Sequence, residues 1–139
     1  MAIEGGCFCG AIRYRIANGD YPSVNCHCSM CRRTSAAPFV TWLVVPNERL
    51  EYTRGQPKVL ESSDHGTRFF CADCGTPIML DDKQGRIRVV VPNLMGYDAA
   101  ALPATYHAFY DPASGAPAPD DGRPVHEALR PEFVWPEPS

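Results

Sequence analysis

Seven cysteines stand in three tight groups, Cys7-x-Cys9, Cys26-x-Cys28-x-x-Cys31 and Cys71-x-x-Cys74, and no other feature so restricts what the chain can become. An odd number excludes complete internal pairing, and gaps of one or two residues are too short for unstrained bridges between neighbours. The N-terminal stretch Met1 to Gly10 has no basic region followed by an apolar one, and nowhere is there an apolar run of the length that spans a bilayer. The expected setting is therefore the reducing cytoplasm, with no membrane partner. There thiols stay unbridged, and metal ligation is the leading use for cysteines so spaced.

Zinc closes a structural site with four nitrogen or sulfur ligands and keeps three where the fourth place serves water or substrate, so seven reads as four plus three. In extended backbone, residues i and i+2 share a face, which lets Cys7 and Cys9 address one ion. Cys71-Ala72-Asp73-Cys74-Gly75 has the form of a zinc knuckle, with glycine completing a tight turn. Two partitions fit. Cys28 and Cys31 could join Cys71 and Cys74 as a ribbon, leaving Cys7, Cys9 and Cys26. Alternatively the outer doublets combine and Cys26, Cys28 and Cys31 form a contiguous triplet, the simpler and preferred arrangement.

A closed site contributes its binding free energy to folding, whereas a three-thiolate site offers a Lewis-acid position suited to thiol chemistry. Such a site is net negative, and Arg32 and Arg33, directly after Cys31, are candidates for contacting a substrate carboxylate through their planar forks. His107, within Tyr106-His107-Ala108-Phe109, is a further candidate near substrate. The competing reading is a non-catalytic, protein-binding zinc module whose triplet is completed by His27, His65, His107 or His126. His27 is the poorest of these ligands, since between two ligand cysteines an extended backbone turns it away from their ion.

Fourteen prolines and eleven glycines favour short strands and turns over long helices. Ile12, Tyr14 and Ile16 alternate with Arg13 and Arg15, predicting a half-buried strand over Ala11–Ile16. Phe39–Val45 predicts a buried strand that stops at Pro46. Shorter strands are expected near Leu50–Thr53, Val59–Glu61, Arg68–Cys71, Ile78–Leu80 and Arg86–Val91, with a helical turn over Ser29–Ser35 capped by Ser29. Phe39 and Trp42 read as core residues, Asp81-Asp82 and Asp120-Asp121 as turn and loop residues. Pro112–Pro124 reads as a surface loop, and Pro131–Ser139 as a tail anchored at most by Phe133 and Trp135. The expectation is one zinc-binding domain over 1–139, with a core of roughly 5–110 followed by loop and tail. A formal net charge of −3 argues against nucleic acid as a partner.

Three segments, GGCFCGAIRY (5–14), NCHCSMCRRTSAAPFVTW (25–42) and FFCADCGTPI (69–78), together resemble the glutathione-dependent formaldehyde-activating enzyme family, which includes relatives of centromere protein V. The resemblance implies a mainly β, tent-like fold of short antiparallel strands around a structural zinc, with no long helices. It implies two zincs per chain, a structural one on Cys7, Cys9, Cys71 and Cys74 and a catalytic one on Cys26, Cys28 and Cys31. The implied activity is that of a carbon-sulfur lyase, adding the thiol of glutathione to formaldehyde or a related small aldehyde to give an S-hydroxymethyl adduct. Glutathione-using members follow the histidine segment with a tryptophan-containing stretch and an Asp-Gly-Leu-Pro element. Here Tyr110-Asp111-Pro112 and Asp121-Gly122-Arg123-Pro124 stand in their place.

Overall fold

The computed structural model describes residues 3–64, 66–82, 87–90 and 105–128. His65 and the tail Pro131–Ser139, with Phe133 and Trp135, lie outside the described residues. In chain order the strands are β1 (Ile3–Gly6), β2 (Arg13–Ile16), β3 (Ser23–Cys26), β4 (Val40–Pro46), β5 (Leu50–Arg54), β6 (Lys58–Glu61), β7 (Gly66–Phe70), β8 (Pro77–Asp82), β9 (Ile87–Val90) and β10 (His107–Ala108). One helix, α1 (Ser29–Ser35), joins β3 to β4, so the fold is mainly β with no long helix among the described residues. No described helix is long and apolar enough to cross a membrane.

Alternation forms the smaller sheet, in which β2 lies between β1 and β5. Tyr14 and Ile16 are buried on one face, continued by Ile12 just before the strand. On the other face Arg15 reaches Glu4 at 3.3 Å and Glu51 at 3.6 Å. Exposed pairs of this kind contribute about 0–1 kcal/mol, so burial rather than charge holds the strand. Nothing in Ile3-Glu4-Gly5-Gly6 has strand periodicity. Its pairing with β2 depends on glycine, because a β-carbon at Gly6 would collide with the Ile12 carbonyl oxygen.

The larger sheet runs β10-β3-β4-β9-β8-β7-β6, antiparallel except where β10 lies parallel to β3. Its longest described strand is β4, which extends through Pro46 rather than stopping before it. Val40 and Trp42 enter a cluster with Val24, Cys26, Cys31, Tyr106 and Ala108. Leu43 and Val45 enter another with Cys7, Ile12, Tyr14, Ile16, Cys71 and Ile78. Each apolar cluster thus holds cysteines of one group, and the two-residue period of β4 serves both. Asp81 and Asp82, expected in a turn, end strand β8 because the hairpin with β7 continues to Gly66.

Candidate metal centres and cleft

Cys7, Cys9, Cys71 and Cys74 bring their sulfurs within 4.8 Å of one another. The Cys7–Cys9 separation is 3.6 Å and the Cys9–Cys71 separation 3.8 Å. Sulfurs bound at about 2.3 Å around a tetrahedral zinc stand about 3.8 Å apart, so this set fits the ion. Cys7 and Cys9 converge through a turn, not the extended segment expected, with Gly10 at φ 87° completing it. The second loop closes as the Gly75 amide donates to the Cys71 carbonyl at 2.8 Å with Gly75 at φ 78°. Thr76 joins the loops: its hydroxyl accepts from the Phe8 amide at 3.2 Å and lies 3.1 Å from Cys74 Sγ. Hydrogen bonds from the Thr76 hydroxyl and backbone hold the Cys74 thiol down to about 5, favouring the thiolate a metal requires.

Cys26, Cys28 and Cys31 form the second group, again with sulfurs within 4.8 Å. Cys26 ends β3, Cys28 caps α1 and Cys31 lies in its first turn. The cap is therefore Cys28, whose Sγ accepts from the Cys31 amide at 3.3 Å, and not the expected Ser29. The Trp42 indole N–H donates to Cys31 Sγ at 3.3 Å from the neighbouring strand. Hydrogen bonds from Cys26 and Cys31 push the Cys28 thiol down to about 2, and its bonds to Cys28 and Cys31 push Cys26 up. Cys28 opens on a cleft of about 420 Å³ shared with Phe109, Tyr110, Asp111 and Glu127.

Among the described residues no histidine joins the triplet's donor group. His27 is buried, and its Nε2 lies 2.8 Å from His107 Nδ1, while His107 Nε2 lies 2.9 Å from Asp121 Oδ2. Burial first, then His107 and Arg32, hold the His27 imidazole below its ordinary range. His107, expected at the substrate, is 1% exposed with both ring nitrogens engaged, so it stands behind the triplet. Arg32 is turned inward, donating from Nε to the His27 carbonyl at 2.9 Å. Arg33 is exposed and lines a groove of about 210 Å³ with Ser29, Ser62, Ser63 and Arg68. Phe39, expected in the core, is 37% exposed and packs on the rings of His27 and His107, with centroids 4.9 and 5.5 Å away.

Sequence reasoning missed Asp121 as a partner of His107, and it missed Tyr110, Asp111 and Glu127 at the cleft. A loop of proline, alanine and aspartate carries no period, and the signal for Tyr110, Asp111 and Asp121 was their place opposite the family's tryptophan-containing and Asp-Gly-Leu-Pro elements, which gave them no role. Trp42 was detectable: Val40 and Trp42 share a strand face, and Cys31 lies on the helix leading into that strand.

Compared with known proteins, residues 2–111 match the family described as glutathione-dependent formaldehyde-activating enzyme. A Halomonas elongata protein provisionally named a glutathione-dependent formaldehyde-activating enzyme is 30% identical over 92 residues, covering 59% of this chain and 57% of that protein. A Schizosaccharomyces pombe protein named an uncharacterized lyase is 28% identical over 83 residues, covering 60% of each chain. The matches thus span under two thirds of these relatives' lengths. A crystal structure of a Rhodobacter sphaeroides protein superposes with a TM-score of 0.61 at 21% identity, over 76% of this chain and 100% of that one, which shows a shared fold.

Proposed function

The chain belongs to the glutathione-dependent formaldehyde-activating enzyme family, and from that premise we propose that it is a zinc-dependent carbon-sulfur lyase. Its reaction is addition of a thiol of the glutathione class to formaldehyde or a related small aldehyde. One observation carries this reading. The sulfurs of Cys26, Cys28 and Cys31 converge with no further histidine, cysteine or carboxylate donor among the described residues, and Cys28 opens on the cleft.

In the addition a sulfur–carbon bond forms as the carbonyl π bond breaks, and the proton lost by the thiol ends on the new carbinol oxygen. Zinc on the three sulfurs would supply Lewis acidity at an open position and favour an ionised thiol there. The remaining work belongs to the chain. The Trp42 N–H and the Cys31 amide, each 3.3 Å from a ligand sulfur, offset the negative charge the triplet accumulates. Arg33 is assigned to a substrate carboxylate, with Arg68 across the groove. Arg32 fixes the backbone between Cys26 and Cys28 rather than meeting substrate. Cys7, Cys9, Cys71 and Cys74 are assigned to a closed structural zinc.

The test uses zinc-loaded protein, ¹³C-formaldehyde and glutathione, with adduct exchange followed by two-dimensional exchange NMR. Wild-type protein should carry two zincs and accelerate exchange. Cys28→Ser should remain folded with one zinc and no acceleration above background. Undiminished acceleration by Cys28→Ser, or X-ray absorption showing four protein ligands on both zincs, refutes the reading.

A further inference from the structure

We infer that His27, His107 and Asp121 form a positioning chain that fixes the Cys26–Cys28 segment against the cleft, making the stretch beyond residue 111 a working part of the site. The inference rests on the reading of the triplet given above.

His27 separates two of the three sulfurs, and it is held at three points. Its amide donates to the Ala108 carbonyl at 2.9 Å, its carbonyl accepts from Arg32 Nε at 2.9 Å, and its ring Nε2 meets His107 Nδ1 at 2.8 Å. His107 is held just as fully, but from the other side. Its amide donates to the Pro124 carbonyl at 2.9 Å, its carbonyl accepts from the His126 amide at 2.9 Å, and its Nε2 reaches Asp121 Oδ2 at 2.9 Å. Every one of those second attachments lies beyond residue 111, where the family match ends.

The carboxylate is itself aimed, since Asp121 Oδ1 accepts from the Arg123 amide at 3.0 Å and Oδ2 from the Arg123 guanidinium at 3.1 Å. An ionised carboxylate only accepts, so His107 Nε2 carries a proton. On a neutral His107 the other nitrogen is the acceptor, and His27 Nε2 is then the donor. In that tautomer the chain has one sense, from the triplet segment outward to the loop, and the loop carboxylate sets it. The same segment supplies Glu127 to the cleft wall, and the Tyr110 amide bonds to the His126 carbonyl at 3.1 Å, so anchor and wall move together. Removing such outer partners of a metal site costs roughly 10- to 100-fold in metal affinity or activity.

The experiment compares zinc-loaded wild type with Asp121→Ala, Asp121→Asn and, as a control on the same loop, Asp120→Ala. Proton–nitrogen correlation NMR should show ring N–H protons of His27 and His107 protected from water exchange in wild type and in Asp120→Ala. Asp121→Ala should lose the His107 signal. It should also release one zinc to a chelator about tenfold faster, and its kcat should fall about tenfold with the thiol KM almost unmoved. Asp121→Asn, which keeps the shape and removes the charge, should fall between and serves if the alanine variant does not fold. Unprotected ring protons in wild type, or variants with wild-type kcat and zinc release, overturn the proposal. If wild type itself catalyses no thiol–aldehyde exchange, the functional reading fails, while ring protection and zinc release still decide the positioning chain.

Discussion

At Trp42 packing and chemistry meet in one side chain. The ring is 3% exposed inside the triplet's apolar cluster, and its N–H donates to Cys31 Sγ. A hydrogen bond to a charged partner is worth about 1.5–3 kcal/mol net, and deletion of a buried tryptophan about 3–5 kcal/mol. Trp42→Phe keeps much of the packing and removes the donor. It should therefore lower the stability of zinc-loaded protein by about 1–3 kcal/mol in urea titration, with a smaller loss in metal-free protein, where Cys31 carries less charge. Equal losses in both forms would show that the ring matters only as volume.

At the scale of elements, what was legible depended on where each strand finds its partner. The period of β2 and the β-branched run of β4 are local, and both appear close to where expected, β2 with one buried face and β4 buried on both. Strand β3 was not expected: Ser23-Val24-Asn25-Cys26 alternates polar and apolar residues over only four positions, with no β-branched or aromatic run to mark it, and all four are buried. Of its two polar side chains, that of Asn25 is matched across the sheet, where the Thr41 hydroxyl donates to Asn25 Oδ1 at 2.6 Å. Thr41→Val keeps the shape and leaves that acceptor without its donor, which should cost about 1–3 kcal/mol on thermal or chemical unfolding. Two-residue β10 was likewise illegible, because a parallel pairing with β3 joins segments far apart in sequence. The cysteine groups were legible as candidate ligand sets because their spacing is itself the signal. The His27–His107–Asp121 chain was not, since it depends on how a loop folds back over the sheet.

Across the whole molecule the two cysteine groups differ most in how much chain they span. The quartet ties the turn at Cys7–Cys9 to the knuckle at Cys71–Cys74, and the cluster around it draws on both sheets. An ion there cross-links distant segments, and structural zinc contributes about 10–16 kcal/mol of apparent binding free energy that is available to folding. The triplet lies within a single strand–helix connection, so an ion there restrains little chain that β3, α1 and β4 do not already hold. Loop-closure entropy grows with the length enclosed, so an ion on the quartet would be a fold determinant and an ion on the triplet chiefly a chemical one. Titration with a chelator of rising strength should accordingly remove zinc in two steps. The first equivalent should leave with loss of thiol-dependent activity and little change in circular dichroism; the second should leave together with the near-ultraviolet signal and cooperative unfolding. Cys71→Ser should behave like protein that has already passed the second step, whereas Cys28→Ser should resemble protein that has passed only the first. Release of both zincs in one step coincident with unfolding would mean that the triplet also holds the fold together, and the division of labour between the two cores would fail.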